Sequence, residues 1–159
     1  MDNNNIDFDN LTSQVRAKVF EVNQTITLGM RSRAYRVANE LRNASQEVLR
    51  GQRSGRTYRV PGTRRRYTAS APGESPANRT GAFRASWQPK TETIKSGVDG
   101  MSVRAYVESS IRTEDDKGKY LLGEILEKGT GKMSPRPYKK KIQEKSLKKI
   151  IKIYKEPYF

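Results

Sequence analysis

The sequence predicts an α+β fold in a single domain: a long N-terminal helix, a small antiparallel β-hairpin, short helices and a basic C-terminal helix. Three patterns predict it. Apolar residues recur at helical spacing from Leu11 to Val48, apolar and polar residues alternate from Met101 to Glu108, and a second helical pattern runs from Pro137 to Tyr154. Over 159 residues these give a helical region at 1–50, a basic arm at 51–69 and an α+β core at 70–159.

In the first helix Leu11, Val15, Val19, Val22, Ile26 and Met30 lead on to Ala34, Val37, Leu41, Ala44 and Val48. The mean step is about 3.7 residues, which is a helical stripe. At about 1.5 Å per residue it spans roughly 57 Å, more than one small domain covers. Gly29 is where it would kink into two helices; a straight version has to pack on other subunits. The stripe is narrow and rich in small and β-branched side chains, which suits a groove contact. Gly51 is expected to end the helix as a C-terminal cap.

The arm carries Arg50, Arg53, Arg56 and Arg59, then Arg64, Arg65 and Arg66, with Tyr58 and Tyr67 interleaved. Gly51, Gly55, Pro61 and Gly62 argue against regular structure. A flexible loop is expected, or an extended hairpin that folds only on assembly. Arginine among aromatics is the composition of a segment that stacks on single-stranded nucleic acid. The same arginines suit docking on an acidic face of an adjoining subunit.

Two segments are stiffened beyond what a surface loop needs. In Ser70–Trp87, Pro72 and Pro76 preset φ while Gly73 and Gly81 allow turns or close approach. In Gly123–Tyr138, Pro135 and Pro137 do the same beside Gly129 and Gly131. Both are expected to hold a shape against something else. Thr80 is placed to cap a helix starting at Gly81, and Phe83 and Trp87, four residues apart, would bury one face. The strand Thr91–Lys95 then turns at Asp99-Gly100 into Met101–Glu108. Residues 110–118 read as an exposed loop. Tyr120, Leu121, Ile125 and Leu126 give a short helix stopped by Gly129. In the last helix Ile142, Leu147, Ile150, Ile151 and Tyr154 are expected on one side. Eight lysines between 139 and 155 cover the rest, mostly as a solvated face, with Lys139, Lys140 and Lys141 as candidate polyanion contacts.

Net charge is +15, from 32 Lys and Arg against 17 Asp and Glu. That excess favours polyanionic surroundings, whether nucleic acid, an acidic protein ring or anionic lipid, although simple solubility also explains it. The 30 Leu, Ile, Val and Phe residues make up about 19% of the chain, at the edge of what folds alone. The expectation is a small-cored subunit that completes its burial against neighbours.

The chain has no cysteine and no histidine, which excludes disulfides, thiolate zinc sites and imidazole-based catalysis. The N-terminus lacks the basic start and apolar run of a signal peptide, and no apolar run approaches membrane-spanning length, so no membrane partner is expected. Gly129-Thr-Gly-Lys132 fails as a phosphate loop, because Leu126 stands where the first glycine belongs and Met133 where Ser or Thr does. The triplet Glu114-Asp115-Asp116 reads as solvated turn residues, and Glu124 with Glu127 lacks an implied pocket. No cofactor, metal site or enzymatic activity is expected.

In their order and spacing the two stiff segments resemble the tail-completion, or head–tail joining, proteins of tailed bacteriophages, the family of the gene-ten-like tail component of lambda-like phages. In that family a Pro-Gly-x-x-Pro stretch runs into Thr-Gly-x-x-Arg-x-Ser, matched here by Pro72, Gly73, Pro76, Thr80, Gly81, Arg84 and Ser86. A later Glu-aromatic-Gly-Thr leads through Met-x-x-x-Pro-aromatic, matched by Glu127, Gly129, Thr130, Met133, Pro137 and Tyr138. Lys128 stands where an aromatic is usual, Tyr138 replaces Phe, and the tail after Ile142 is more basic. The likeness covers roughly residues 35–145.

The resemblance implies a structural virion protein of the neck, made in the host cytoplasm and assembled into the virion. It would form a sixfold ring of itself between the capsid connector and the tail tube, with genomic DNA passing through. The matched residues other than Ser86, together with Pro135, would then face adjacent subunits, with Phe83, Trp87 and Tyr138 as aromatic anchors. For Phe83 and Trp87 the plainer reading is core. Two alternatives stand beside this: a tail terminator capping the tube, and a free-standing basic nucleic-acid-binding protein.

Overall fold

The computed structural model describes residues 8–97, 100–113 and 120–158. Asp99 of the expected turn and the triplet Glu114-Asp115-Asp116 lie outside these residues. The fold is α+β: α1 (Phe8–Arg50), β1 (Thr57–Arg59), β2 (Arg66–Thr68), α2 (Ala82–Ala85), β3 (Gln88–Gly97), β4 (Gly100–Glu108), α3 (Leu122–Lys128) and α4 (Lys139–Tyr154). No helix among the described residues is long and apolar enough to cross a membrane.

Contrary to the expected kink, α1 runs unbroken through Gly29 for 43 residues. The glycine has a different use. A Cβ there would meet the Tyr158 ring at 2.9 Å, so Gly29 clears a seat for the end of the chain. The adjoining Arg33, only 6% exposed, stacks its guanidinium 3.5 Å from the Tyr158 centroid. It also donates to the Glu156 and Pro157 carbonyls, and Arg36 pairs with the Glu156 carboxylate.

Further pairs fix how α4 lies. Glu40 meets Lys149 and Glu47 meets Lys145, each at 2.9 Å. With Arg36–Glu156, partners rise along α1 as they fall along α4, so the helices are antiparallel. Small side chains line the seam: Ala34, Ala38 and Ser45 on α1 and Ser146 on α4 are buried, letting the backbones approach. Ile142 and Ile153 close it.

The single apolar side expected of α4 is therefore split. Ile142 and Ile153 face inward, whereas Leu147, Ile151 and Tyr154 are 44–55% exposed on another face.

The sheet of β3 and β4 lies on α1. It begins earlier than expected, at Gln88, with Pro89 opposite Val107, and its register shifts between Thr93 and Lys95. Pro89 sits near the strand's start, where a missing N–H is tolerated. Along β4, Met101, Val103, Ala105 and Val107 are half-buried while Ser102, Arg104 and Glu108 are exposed, as the alternation predicts; Tyr106, expected outward with them, is half-buried as well.

The core cluster joins Ala44 and Leu49 of α1 with Trp87, Tyr138 and Ile142, flanked by Leu41, Val48, Phe83, Val107 and Leu126. Its centre is a triangle of rings. Phe83–Trp87, Phe83–Tyr138 and Trp87–Tyr138 meet edge to face with centroids 5.6, 5.8 and 5.7 Å apart. Tyr138, 1% exposed, donates its hydroxyl to the Gly123 carbonyl at 3.0 Å. Burial, reinforced by the Glu127 and Glu124 carboxylates, raises its phenol above the ordinary range. The anchors expected at an interface thus form the centre of the subunit, as the plainer reading of Phe83 and Trp87 holds, and Tyr138 joins them.

Candidate functional site

Three regions carry the residues singled out from sequence: the two stiff segments, the basic arm and the uncovered part of α1. The stiff segments meet each other. Gly73 N–H donates to the Pro135 carbonyl at 3.3 Å, the Ser75 hydroxyl to the Pro137 carbonyl at 3.3 Å, and Lys141 Nζ to the Gly73 carbonyl at 3.2 Å. In the second segment Thr130 and Met133 exchange backbone hydrogen bonds at 2.8 and 3.1 Å. Gly129 is required there: its φ is 76°, and a Cβ would meet the Met133 carbonyl at 2.6 Å and Pro135 N at 2.8 Å. Glu127 accepts from the Tyr138 and Lys139 N–H groups at 3.0 and 3.3 Å, satisfying donors at the start of α4.

Much of the stiffness expected to serve a neighbour therefore locks the subunit to itself. Pro76, Trp87 and Tyr138 are buried, and Gly81, Phe83, Arg84, Glu127, Gly129, Met133 and Pro137 are partly so. Of the residues expected at the interface, only Pro72, Gly73, Thr80, Thr130 and Pro135 remain on the outer rim as exposed residues. Thr80 accepts from the Ala82 N–H, at 3.3 Å, but it is not the N-cap expected: Gly81 takes that position at φ 89°, and the helix is a single turn.

The arm is a formed β-ribbon rather than a loop. Thr57, Tyr58 and Arg59 pair with Thr68, Tyr67 and Arg66, and the ladder extends through Val60 N–H to the Arg65 carbonyl and Gly55 N–H to the Ala69 carbonyl. Gly62, with φ 73°, turns the tip. The glycines and proline that argued against structure sit at its base and tip, outside the paired residues.

The base is pinned to the body by Arg53. Its guanidinium donates to the carbonyls of Val48 (2.9 Å), Gly51 (2.6 Å), Gln52 (2.8 Å) and Pro76 (3.0 Å). It thereby caps the last turn of α1, a task expected of Gly51 through a left-handed turn. Gly51 instead makes room, since a Cβ there would lie 3.0 Å from Arg53 Nη1. Burial pulls the Arg53 guanidinium below its ordinary value, opposed by Glu74. Arg53 is thus a structural residue and not a free contact for DNA or an acidic partner.

Glu74 holds the other side of the base. It accepts from the Ser54 hydroxyl (2.6 Å), the Ser54 N–H (3.1 Å) and the Ala71 N–H (2.9 Å). These bonds, the Ser54 hydroxyl foremost, hold its carboxyl down to about 2.

The other arginines differ. Arg56, Arg59, Arg64, Arg65 and Arg66 are exposed, and none has an ion-pair partner among the described residues. Arg50, at the end of α1, lines a shallow depression with Glu47, Arg84 and Lys149. Lys139 and Lys140 are exposed at the start of α4, and Lys140 lies 3.9 Å from Glu144.

The third region is the first part of α1. Every side chain from Asp9 to Thr25 is exposed, and Leu11, Val15, Val19 and Val22 are 42–55% accessible. Local bonds such as Lys18–Glu21 at 2.7 Å support the helix there, but no other described element covers it. Sequence reasoning missed the Tyr158 seat and the Arg53 cap. It grouped Leu147, Ile151 and Tyr154 on one side of α4, but together with the buried Ile142 and not as an open face. Comparison with protein-family models, curated proteins and solved structures finds no match to this chain.

Proposed function

We propose that the chain is a structural subunit of a tailed-phage neck, a tail-completion component that closes with copies of itself into a sixfold ring between the capsid connector and the tail tube. The observation that carries this is the uncovered stripe of α1. Most of its stripe repeats every eleven residues: Leu11 and Val22; Val15, Ile26, Val37 and Val48; Val19, Met30 and Leu41. Such a period makes the seam drift slowly about the helix axis, in the sense of a right-handed supercoil. The same seam is closed by the subunit's own body at one end and open at the other. A helix of this kind is completed by another polypeptide.

A ring needs two different faces on each subunit, because its contacts are head to tail. The open seam of α1 supplies one, and Leu147, Ile151 and Tyr154 on α4 supply a second. Placement in a phage neck rests on the resemblance of the two stiff segments, whose exposed rim is available to the connector and tail tube.

Sedimentation of the purified protein tests assembly: a ring is expected, and V15S/V19S should leave monomers. Particles from a null mutant test the placement. Normal-length tails that fail to join heads are expected, whereas tails of uncontrolled length would mean a terminator.

A further inference from the structure

We propose that the β1–β2 ribbon binds the phosphate backbone of duplex DNA. The register sets Arg59 directly opposite Arg66. Like charges across a ladder destabilise it, and a two-stranded ribbon has little stability to spare. Among the described residues no carboxylate relieves the pair. Arg59 donates its Nε to the Thr63 carbonyl at 2.8 Å, which leaves the outer nitrogens of its guanidinium available. The acid at the base, Glu74, is already taken by Ser54 and Ala71. Nothing inside the subunit accounts for this concentration of arginine, and an external polyanion does.

Geometry selects among polyanions. Guanidinium forks match phosphate oxygens in pairs, and a two-stranded ribbon is one of the shapes the major groove admits. Single-strand binding would need open rings for base stacking. Here Tyr58, although 46% exposed, is already engaged by Tyr67, 5.9 Å between centroids, and by the Arg56 guanidinium at 5.8 Å. The aromatics hold the ribbon together and leave the arginines to face the ligand. This inference stands whether or not the chain forms a ring.

The test is fluorescence anisotropy of the full-length protein with a short labelled duplex, its single strand and labelled poly-glutamate, across a salt series. R59A/R66A is expected to weaken duplex binding by about tenfold or more and to make the slope of log K against log salt shallower by about 2. K148A/K155A, with the same loss of charge on α4, should leave that slope unchanged. The melting temperature of R59A/R66A should stay level or rise, which separates lost binding from lost folding. Equal losses in both variants, or no loss in either, would overturn the proposal. Tighter binding to the single strand would also overturn it, as would tighter binding to poly-glutamate, which would point to an acidic protein. Sedimentation of the same samples keeps a failure of DNA binding distinct from a failure of ring formation.

Discussion

From Ala34 to Leu49 the stripe of α1 is buried against α4, the β3–β4 hairpin and the aromatic triangle; from Leu11 to Val22 the same stripe is open. The spacing is the same in both stretches. The difference lies between the stripe residues. The closed stretch interposes Ala38 and Ser45, which are fully buried and admit a second backbone. The open stretch interposes Phe20, and Leu28 follows just beyond it; they stand 64% and 65% exposed. Hydrophobic periodicity states that a helix needs a partner, and the residues beside the stripe decide how near that partner comes. Neither says which chain supplies it.

The largest effect that sharpens this contrast is Leu49→Ala in the closed stretch. It should lower the unfolding free energy by about 2–5 kcal/mol in a denaturant titration. Val15→Ala in the open stretch should change it by less than about 0.5 kcal/mol in dilute monomer. A loss at Val15 as large as at Leu49 would break the comparison.

Gly29 marks the border between the stretches. Gly29→Val drives a side chain into the Tyr158 ring and should cost about 1–3 kcal/mol, as overpacking does. Adding Tyr158→Ala should recover part of that cost in thermal melts; no recovery would mean the ring is not what the new side chain meets.

The smallest effect is a pH dependence at the edge of the closed region. Glu74 is held below its ordinary 4.5, at about 2. The stabilisation is therefore complete above about pH 4.5 and is lost as pH falls toward 2. Glu74→Gln should lower stability at neutral pH, converge with the parent near pH 2 and so flatten acid unfolding within that window.

Local patterns were legible in the sequence. The α1 stripe, the β4 alternation, the Phe83–Trp87 contact and the stop at Gly129 all follow from residues within a few positions of one another. The α+β class followed from them. The start of β3 was hidden by Pro89, because a proline reads as a strand breaker until its edge position is known. The ribbon was hidden by Gly55, Pro61 and Gly62, although Thr57–Thr68 and Tyr58–Tyr67 are cross-strand pairs with good packing. The rest was nonlocal. That Gly73 would bond to Pro135, or that Tyr138 would complete a ring triangle begun at Phe83, depends on the path of all the chain between. The same holds for Arg33, which reads as a surface charge until the tail carbonyls arrive.

The Arg53 guanidinium reaches four backbone carbonyls around the end of α1, whereas Arg64 and Arg65 stand at the ribbon tip with no ion-pair partner among the described residues. Lysine has one point of charge and no planar fork, so it replaces the second kind of arginine but not the first. Among natural variants of this chain, positions 53 and 66 should stay arginine while positions 64 and 65 drift freely between the two basic residues.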